Sequence, residues 1–542
     1  MFLALTLHGR SGSSQVHIMY GISRCLVTLI VVACCASAMA AERLPNVVFF
    51  LVDDLGWRDL GCYGSRFYET PHIDQFAAKS VRFTQAYAAC HVCSPTRASI
   101  VTGKYPARLH LTDWLPGRNE FPFQKLKNAT IHPHLPLEET TIAEALKEHG
   151  YITGHFGKWH LGEDPSGPLQ QGFDVQIPRW NKGWPKAGYY APFQMNELED
   201  APGDYLTDRL TDEALRFIEK HQDRPFFLYL SHFAVHDPIE GRADLVRKYQ
   251  EKSERVPDRE VSPFILEGNP DALIPLSRAE LNALQETESY RGHRVLPHQI
   301  VKIKQHQDNV QFAAMVEGMD ESFGRVLAQL KTLGLDDNSI VIFCSDNGGM
   351  SAANFGRPNR VIPDTQLNKA YATSNLPLRG AKGWLYEGGI RVPTLVKWPG
   401  RSKRGIECDV PVISTDFYPS ILEMTGVAAR PEQHLDGVSF AGLLMGQERL
   451  ERKAIYWHFP HYSNHGMQSP GGAVRCGDYK LIEYFENNTV QLFYLRNDLG
   501  EQNDLASVEP EIAGRLKSML HRWRANVAAS MMEQNPGYQP DR

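Results

Sequence analysis

The sequence predicts an α/β fold in which helices sandwich a large mixed, mainly parallel sheet, joined to a smaller C-terminal α+β layer. Three observations carry that expectation. Continuous apolar, β-branched runs recur at Pro45–Val52, Pro225–Ser231 and Ser339–Ser345, as strands buried on both faces of a parallel sheet require. Segments of helical periodicity lie between them. Beyond about Gly442 the alternation gives way to short strands spaced closely along the chain.

Taken in order, residues 1–40 read as an export signal. Arg24 precedes the apolar run Cys25–Ala36, which is too short to span a bilayer, and the small-residue site Ala38-Met39-Ala40 follows. Met19 is a candidate start, and Val31-Val32-Ala33-Cys34 offers a competing lipid-attachment site. The expectation is a periplasmic or secreted protein with no membrane span. Those 40 residues hold two basic groups and no acidic one, leaving 55 basic against 63 acidic residues beyond them. A formal charge of −8 argues against nucleic acid or an anionic membrane as partner, so any attraction for an anionic substrate must be local. The six cysteines past residue 40 show neither CxxC pairs nor zinc spacing; one pair involving Cys62 or Cys90 is open to oxidation.

Pro45–Val52 ends in Asp53-Asp54, Pro225–Ser231 leads into His232 and His236, and Ser339–Ser345 leads into Asp346-Asn347-Gly348-Gly349. Ligands of open α/β sheets sit beyond the carboxyl ends of strands, so these three segments are expected to converge. Thr140–His149 and Phe312–Leu333 read as helices; the second has one apolar stripe, with Glu317, Asp320 and Glu321 assigned to a solvated face. Gly241–Gln305 carries no readable pattern. Ala454–Phe459, Tyr479–Tyr484 and Val490–Leu495 read as strands, with a turn at Phe485–Thr489 and a closing helix near Pro510–Ala528. The expected organisation is therefore a signal over 1–40, a catalytic domain over 41–445 and an α+β subdomain over 446–542. Arg108–Pro136, Pro178–Phe193, Ala352–Pro377 and His458–Gly472 read as long functional loops.

Asp53, Asp54, Asp346 and Asn347 offer hard oxygen donors suited to calcium or magnesium, although such pairs also serve as helix caps and turn residues. Cys93 precedes a helix-like segment whose amino end would favour negative charge, and it also fits the plain role of a small buried hydrophobe.

The segment Cys93-Ser-Pro-Thr-Arg97-Ala-Ser-Ile-Val-Thr102-Gly103 resembles the signature of the formylglycine-dependent (type I) sulfatases of the alkaline phosphatase superfamily. The boxes Leu51–Gly56, Gly157–Gly162, Ser345–Gly349 and Arg379–Gly383 join it in that family's order, and the resemblance runs from about residue 45 to about residue 525. It implies an alkaline phosphatase-like fold and a Cys93 that a dedicated maturation enzyme oxidises to formylglycine. The hydrated aldehyde would supply one hydroxyl to attack sulfur and a second to expel sulfate. The resemblance assigns one calcium ion to Asp53, Asp54, Cys93, Asp346 and Asn347, and places Arg97 beside the modified residue. It gives Lys158 and Lys382 to the sulfate oxygens, His160 to regeneration of the aldehyde, and His236 to protonation of the leaving oxygen. His232 would then support the catalytic residues from behind or serve in packing.

Aromatic and basic loop residues, namely Trp114, Arg118, Arg179, Trp180, Trp184, His461 and His465, suggest a sulfated carbohydrate substrate. Pro470–Leu481 resembles the second domain of sulfatases acting on galactose and N-acetylgalactosamine sulfates. A phosphatase or phosphonate monoester hydrolase of the same superfamily, and a non-catalytic glycan-binding protein, are the competing readings.

Overall fold

The strand Asn46–Val52 is the middle of the molecule, and every one of its residues is buried. Even positions Val48, Phe50 and Val52 pack with the helices Pro71–Ala77, Leu206–Lys220 and Val310–Thr332. Odd positions Val47, Phe49 and Leu51 face the other way, onto Cys93–Thr102, Ile142–Lys147 and Phe417–Thr425. Period-two alternation thus gives each face its own helical layer, which is why the run is apolar without interruption. The computed structural model describes residues 43–256, 262–287, 300–354, 362–466 and 468–539, so the expected signal, Met19 and Cys34 lie outside the described residues.

Eight strands form the central sheet, in the order 406–408, 81–83, 394–397, 339–345, 46–52, 226–231, 152–157, 175–177. Asn46–Val52 pairs in parallel with both Ser339–Ser345 and Phe226–Ser231. Only Thr394–Lys397 runs antiparallel to its neighbours, so the sheet is mixed and mainly parallel. The three strands read from sequence are adjacent, and their carboxyl ends lie side by side.

A second, antiparallel sheet follows the order Ile455–Phe459, Gly471–Cys476, Tyr479–Tyr484, Val490–Tyr494. The helix Pro510–Asn526 packs on it through Leu516, Leu520 and Trp523. Ala381, Trp384, Leu385 and Tyr386 belong to the same core, so the segment carrying Lys382 is seated on this sheet.

The structure corrects several sequence expectations. Asp320 does not lie on a solvated face: it is buried and accepts the backbone N–H groups of His72 and Ile73 at 3.1 and 2.8 Å, satisfying the start of Pro71–Ala77. Glu317 is also buried, paired with Lys248 at 2.6 Å. Within 241–305 stand the helices Ala243–Glu254 and Arg278–Gln285 and the antiparallel pair Phe264–Gly268 with Ile300–Lys304. All six described cysteines are free thiols. Among the described residues no helix is long and apolar enough to cross a membrane.

Candidate active site

Backbone hydrogen bonds carry the ladder past the strand ends and bring the polar residues together. His232 donates to Leu51 O at 3.0 Å, Asp53 to Ala234 O at 2.9 Å, Asp346 to Val52 O at 3.2 Å and Lys158 to Ser231 O at 2.7 Å. Asp54 and His160 sit in the left-handed region, with φ of 60° and 58°, the kind of backbone strain that clusters at functional sites. Lys382 is fixed through its own N–H to Gly349 O at 3.0 Å, and Gly383 donates to His91 O at 2.9 Å.

Cys93 opens the helix Cys93–Thr102, whose Val92 cap is extended. Its Sγ lies 3.2 Å from His160 Nδ1, and His160 Nε2 lies 2.6 Å from Leu115 O. Burial and the neighbouring Lys158 charge hold His160 well below its ordinary pKa, which keeps the ring neutral. One helical turn on, Arg97 is buried with its guanidinium between Asp346, Ser231 and the Lys158 carbonyl. Nε and Nη2 reach Asp346 Oδ2 at 2.9 and 2.8 Å, while Nη1 donates to Ser231 Oγ at 2.6 Å and Lys158 O at 3.0 Å. Such a fork is what lysine lacks.

Asp54 accepts Lys382 Nζ at 2.7 and 2.8 Å on its two oxygens and Asn347 Nδ2 at 2.8 Å, and its backbone N–H donates to Asp346 Oδ1 at 3.2 Å. Burial alone would raise Asp54, yet the charges of Lys382, His236 and Lys158 hold it well below the usual carboxylate range. Burial and the Asp53 carboxylate outweigh Arg97 and push Asp346 up to about 6. Lys158 is fully buried against Asp53.

Asp53, Cys93 and Asp346 bring one ligand atom each within 4.8 Å of one another. Asp53 Oδ1 and Asn347 Oδ1 are buried without a hydrogen-bond partner. Buried hard oxygens without hydrogen bonds, beside an ionised carboxylate, fit a calcium or magnesium ion.

A cavity of about 260 Å³ opens over this cluster, lined by Cys93, Trp114, His160, Trp184, His236, Lys382 and His465, with Gly183, Asp237, Asn354 and Asn464. Of the expected substrate residues, Trp114, Trp184 and His465 therefore reach the cavity. His461 does not: it is buried, with Nε2 2.8 Å from Thr112 Oγ1 and its ring 5.2 Å from Phe459. Arg179 is exposed and pairs with Glu197 at 3.3 Å, and Trp180 donates from Nε1 to Trp184 O at 2.6 Å; neither lines this cavity. Arg118 donates to Ser463 O at 2.7 Å. His232 is buried beside Ser322 Oγ at 2.9 Å, a packing position.

Three participants carry no role assigned from the sequence. Ser231 orients Arg97, and its place as the polar end of an apolar run is the available signal. Asp237 lies beside His236, and adjacency alone marks it. Gly183 lies against the His160 ring, and nothing in the sequence marks that.

Comparison with known proteins places this site in context. A family model described as Sulfatase matches residues 45–427. Another, N-sulphoglucosamine sulphohydrolase, C-terminal, matches residues 381–526. Arylsulfatase A of Homo sapiens is 30% identical over 477 residues, covering 82% of this chain and 76% of its own. N-acetylgalactosamine-6-sulfatase of Canis lupus familiaris is 29% identical over 452 residues, covering 79% of this chain and 71% of its own. The crystal structure of Ps i-CgsB in complex with k-i-k-neocarrahexaose superposes with a TM-score of 0.66 at 25% identity, covering 89% of this chain and 93% of that one.

Proposed function

The chain belongs to the sulfatase family and is a type I sulfatase of the alkaline phosphatase superfamily, a sulfuric ester hydrolase; from that premise we propose that it desulfates a carbohydrate, using formylglycine at position 93 and one calcium ion. The observation that carries this reading is the convergence of Asp53, Asp54, Asp346 and Asn347 on Cys93, with Lys382, His160 and His236 around the same cavity.

Asp53, Asp54, Asp346 and Asn347 would hold the ion together with residue 93. When present, calcium supplies Lewis-acid polarisation of the sulfate oxygens, and hydrated formylglycine supplies the attacking hydroxyl and a second one for release of sulfate. Arg97 fixes Asp346 and lies on the same helix as residue 93. Lys382, at the cavity wall, and Lys158, behind it, compensate charge on the sulfate oxygens. His160, neutral and beside residue 93, accepts a proton there. His236 gives a proton to the leaving alcohol oxygen.

Support for a sugar as that alcohol comes from Trp114 and Trp184 at the cavity, whose faces suit a pyranose ring, and from relatives that include an N-acetylgalactosamine-6-sulfatase. We assign a galactose- or N-acetylgalactosamine-type sulfate on that basis. The division into a catalytic part up to residue 445 and a subdomain from 446, export directed by residues 1–40, and dependence on a maturation enzyme belong to the same proposal.

Mass spectrometry of the Cys93 peptide from active enzyme should give a mass roughly 18 Da below the cysteine form, since oxygen replaces sulfur and two hydrogens. Cys93→Ala should abolish turnover of an aryl sulfate. Unmodified Cys93 in fully active enzyme, or a higher rate on the matching aryl phosphate, would overturn the proposal.

A further inference from the structure

The two ring nitrogens of His236 face different chemistry. Nδ1 hydrogen-bonds the Asp237 carbonyl oxygen at 2.7 Å and lies 2.9 Å from Asp237 Oδ1. Both neighbours are acceptors, so Nδ1 carries a hydrogen. Nε2 points away from them, 3.8 Å from Asp54 Oδ2, on the side of the cavity shared with Cys93 and Lys382. The His236 backbone is held in turn, since its carbonyl accepts from Tyr189 Oη at 2.9 Å. The Asp237 main chain thus holds one imidazole nitrogen, its carboxylate adds an ion-pair contact to the same nitrogen, and the other nitrogen is left facing the reacting atoms, as a general acid needs.

We propose that Asp237 is a positioning residue for the reaction: it fixes the His236 ring so that Nε2–H is aimed at the bridging oxygen of the sulfate ester. When the S–O bond breaks, its electron pair stays on that oxygen, the Nε2 proton neutralises it, and the ring is left neutral with its remaining hydrogen on Nδ1 facing Asp237. The inference rests on the assignment of His236 as the acid made above.

Asp237→Asn and His236→Ala, prepared as the full mature enzyme, separate the two claims when kcat and KM are measured on 4-nitrophenyl sulfate and phenyl sulfate. Nitrophenolate leaves without help, whereas phenolate gains from protonation. Asp237→Asn should lower kcat on phenyl sulfate about 10- to 100-fold and on 4-nitrophenyl sulfate less than about 3-fold, with little change in KM or melting temperature. Equal losses on the two esters, or a change confined to KM, would make Asp237 a wall of the cavity and overturn the inference. Discrimination by His236→Ala without discrimination by Asp237→Asn would overturn this inference alone. No discrimination by His236→Ala would remove the acid assignment, and the positioning role with it.

Discussion

Replacing Gly183 with alanine should disable the site while sparing the fold. A Cβ at position 183 would stand 2.3 Å from His160 Cε1 and 2.6 Å from each ring nitrogen. Contacting carbons prefer about 3.5–4.0 Å, so the ring must shift by roughly 1.2 Å or the loop must retreat by as much. The ring has little freedom to yield. It is 4% exposed, its Nε2 is tied to Leu115 O at 2.6 Å, and its Nδ1 faces Cys93 Sγ at 3.2 Å. A displacement of about 1 Å at a catalytic group costs on the order of 100-fold in rate. Overpacking of this size costs about 1–3 kcal/mol of stability, a few degrees in a protein of this length. The expected result is a fall of about 100-fold in kcat/KM on 4-nitrophenyl sulfate, with cooperative unfolding retained. Activity within about 3-fold of wild type in a folded variant would show that the loop retreats freely, and would refute the claim that Gly183 sets the position of His160.

Three further substitutions test the packing away from the site. Lys302 is buried over the Phe264 ring at 6.0 Å with no acidic partner among the described residues, and burial lowers it to about 8. Its folded value lies below the unfolded one, so the charged form penalises folding below pH about 8 and the penalty is relieved as pH rises towards about 10.4. Lys302→Met should therefore stabilise the protein at pH 7 by about 1–3 kcal/mol in urea titrations, with the gain shrinking by pH 10; a constant gain would refute the electrostatic cause. Asp320→Ala removes both acceptors at the start of Pro71–Ala77 and should cost about 2 kcal/mol, read as a lower urea midpoint with unchanged slope. Gly514 lies inside Pro510–Asn526 with nothing within 4 Å of the place an alanine Cβ would occupy, so Gly514→Ala should raise stability by about 0.5–1 kcal/mol; a loss would contradict the open space there.

What the sequence reveals follows from the physics of each element. Asn46–Val52 and Ser339–Ser345 are legible because strands buried on both faces are apolar along most of their length instead of alternating. Gly471–Cys476 does not read as a strand, since Gly471, Gly472 and Ala473 carry no β signal; two flanking strands impose the conformation. In Val310–Thr332 the apolar stripe is where periodicity puts it and the polar face is not. Periodicity reports which residues avoid water, and it is silent about a carboxylate whose partners are backbone groups 247 and 248 residues away. Lys302 and Lys304 hide the strand Ile300–Lys304 in the same way, by placing charge where a buried strand would show none.

The site divides along a related line. On the proposed function, reaction chemistry dictates residue types at Asp53, Asp54, Cys93, Arg97, Lys158, His160, Asp346, Asn347 and Lys382, and it acts on short segments at strand and helix ends, so motifs carry that information. The cavity walls carry much less of it. His461 and His465 are four residues apart in one loop and alike in sequence terms, yet His465 lines the cavity and His461 is packed against Thr112. Trp184 reaches the same cavity while Trp180, tied to its carbonyl, does not. Which side of a loop faces the substrate is settled by tertiary hydrogen bonds and not by local pattern, so substrate choice is the property of this enzyme least written in its motifs. For the same reason, exchanging Trp184 or His465 should alter which sulfated sugar is accepted more than it alters cleavage of an aryl sulfate, whose small leaving group needs little of the wall; equal losses on both classes would show that these residues serve the chemistry itself.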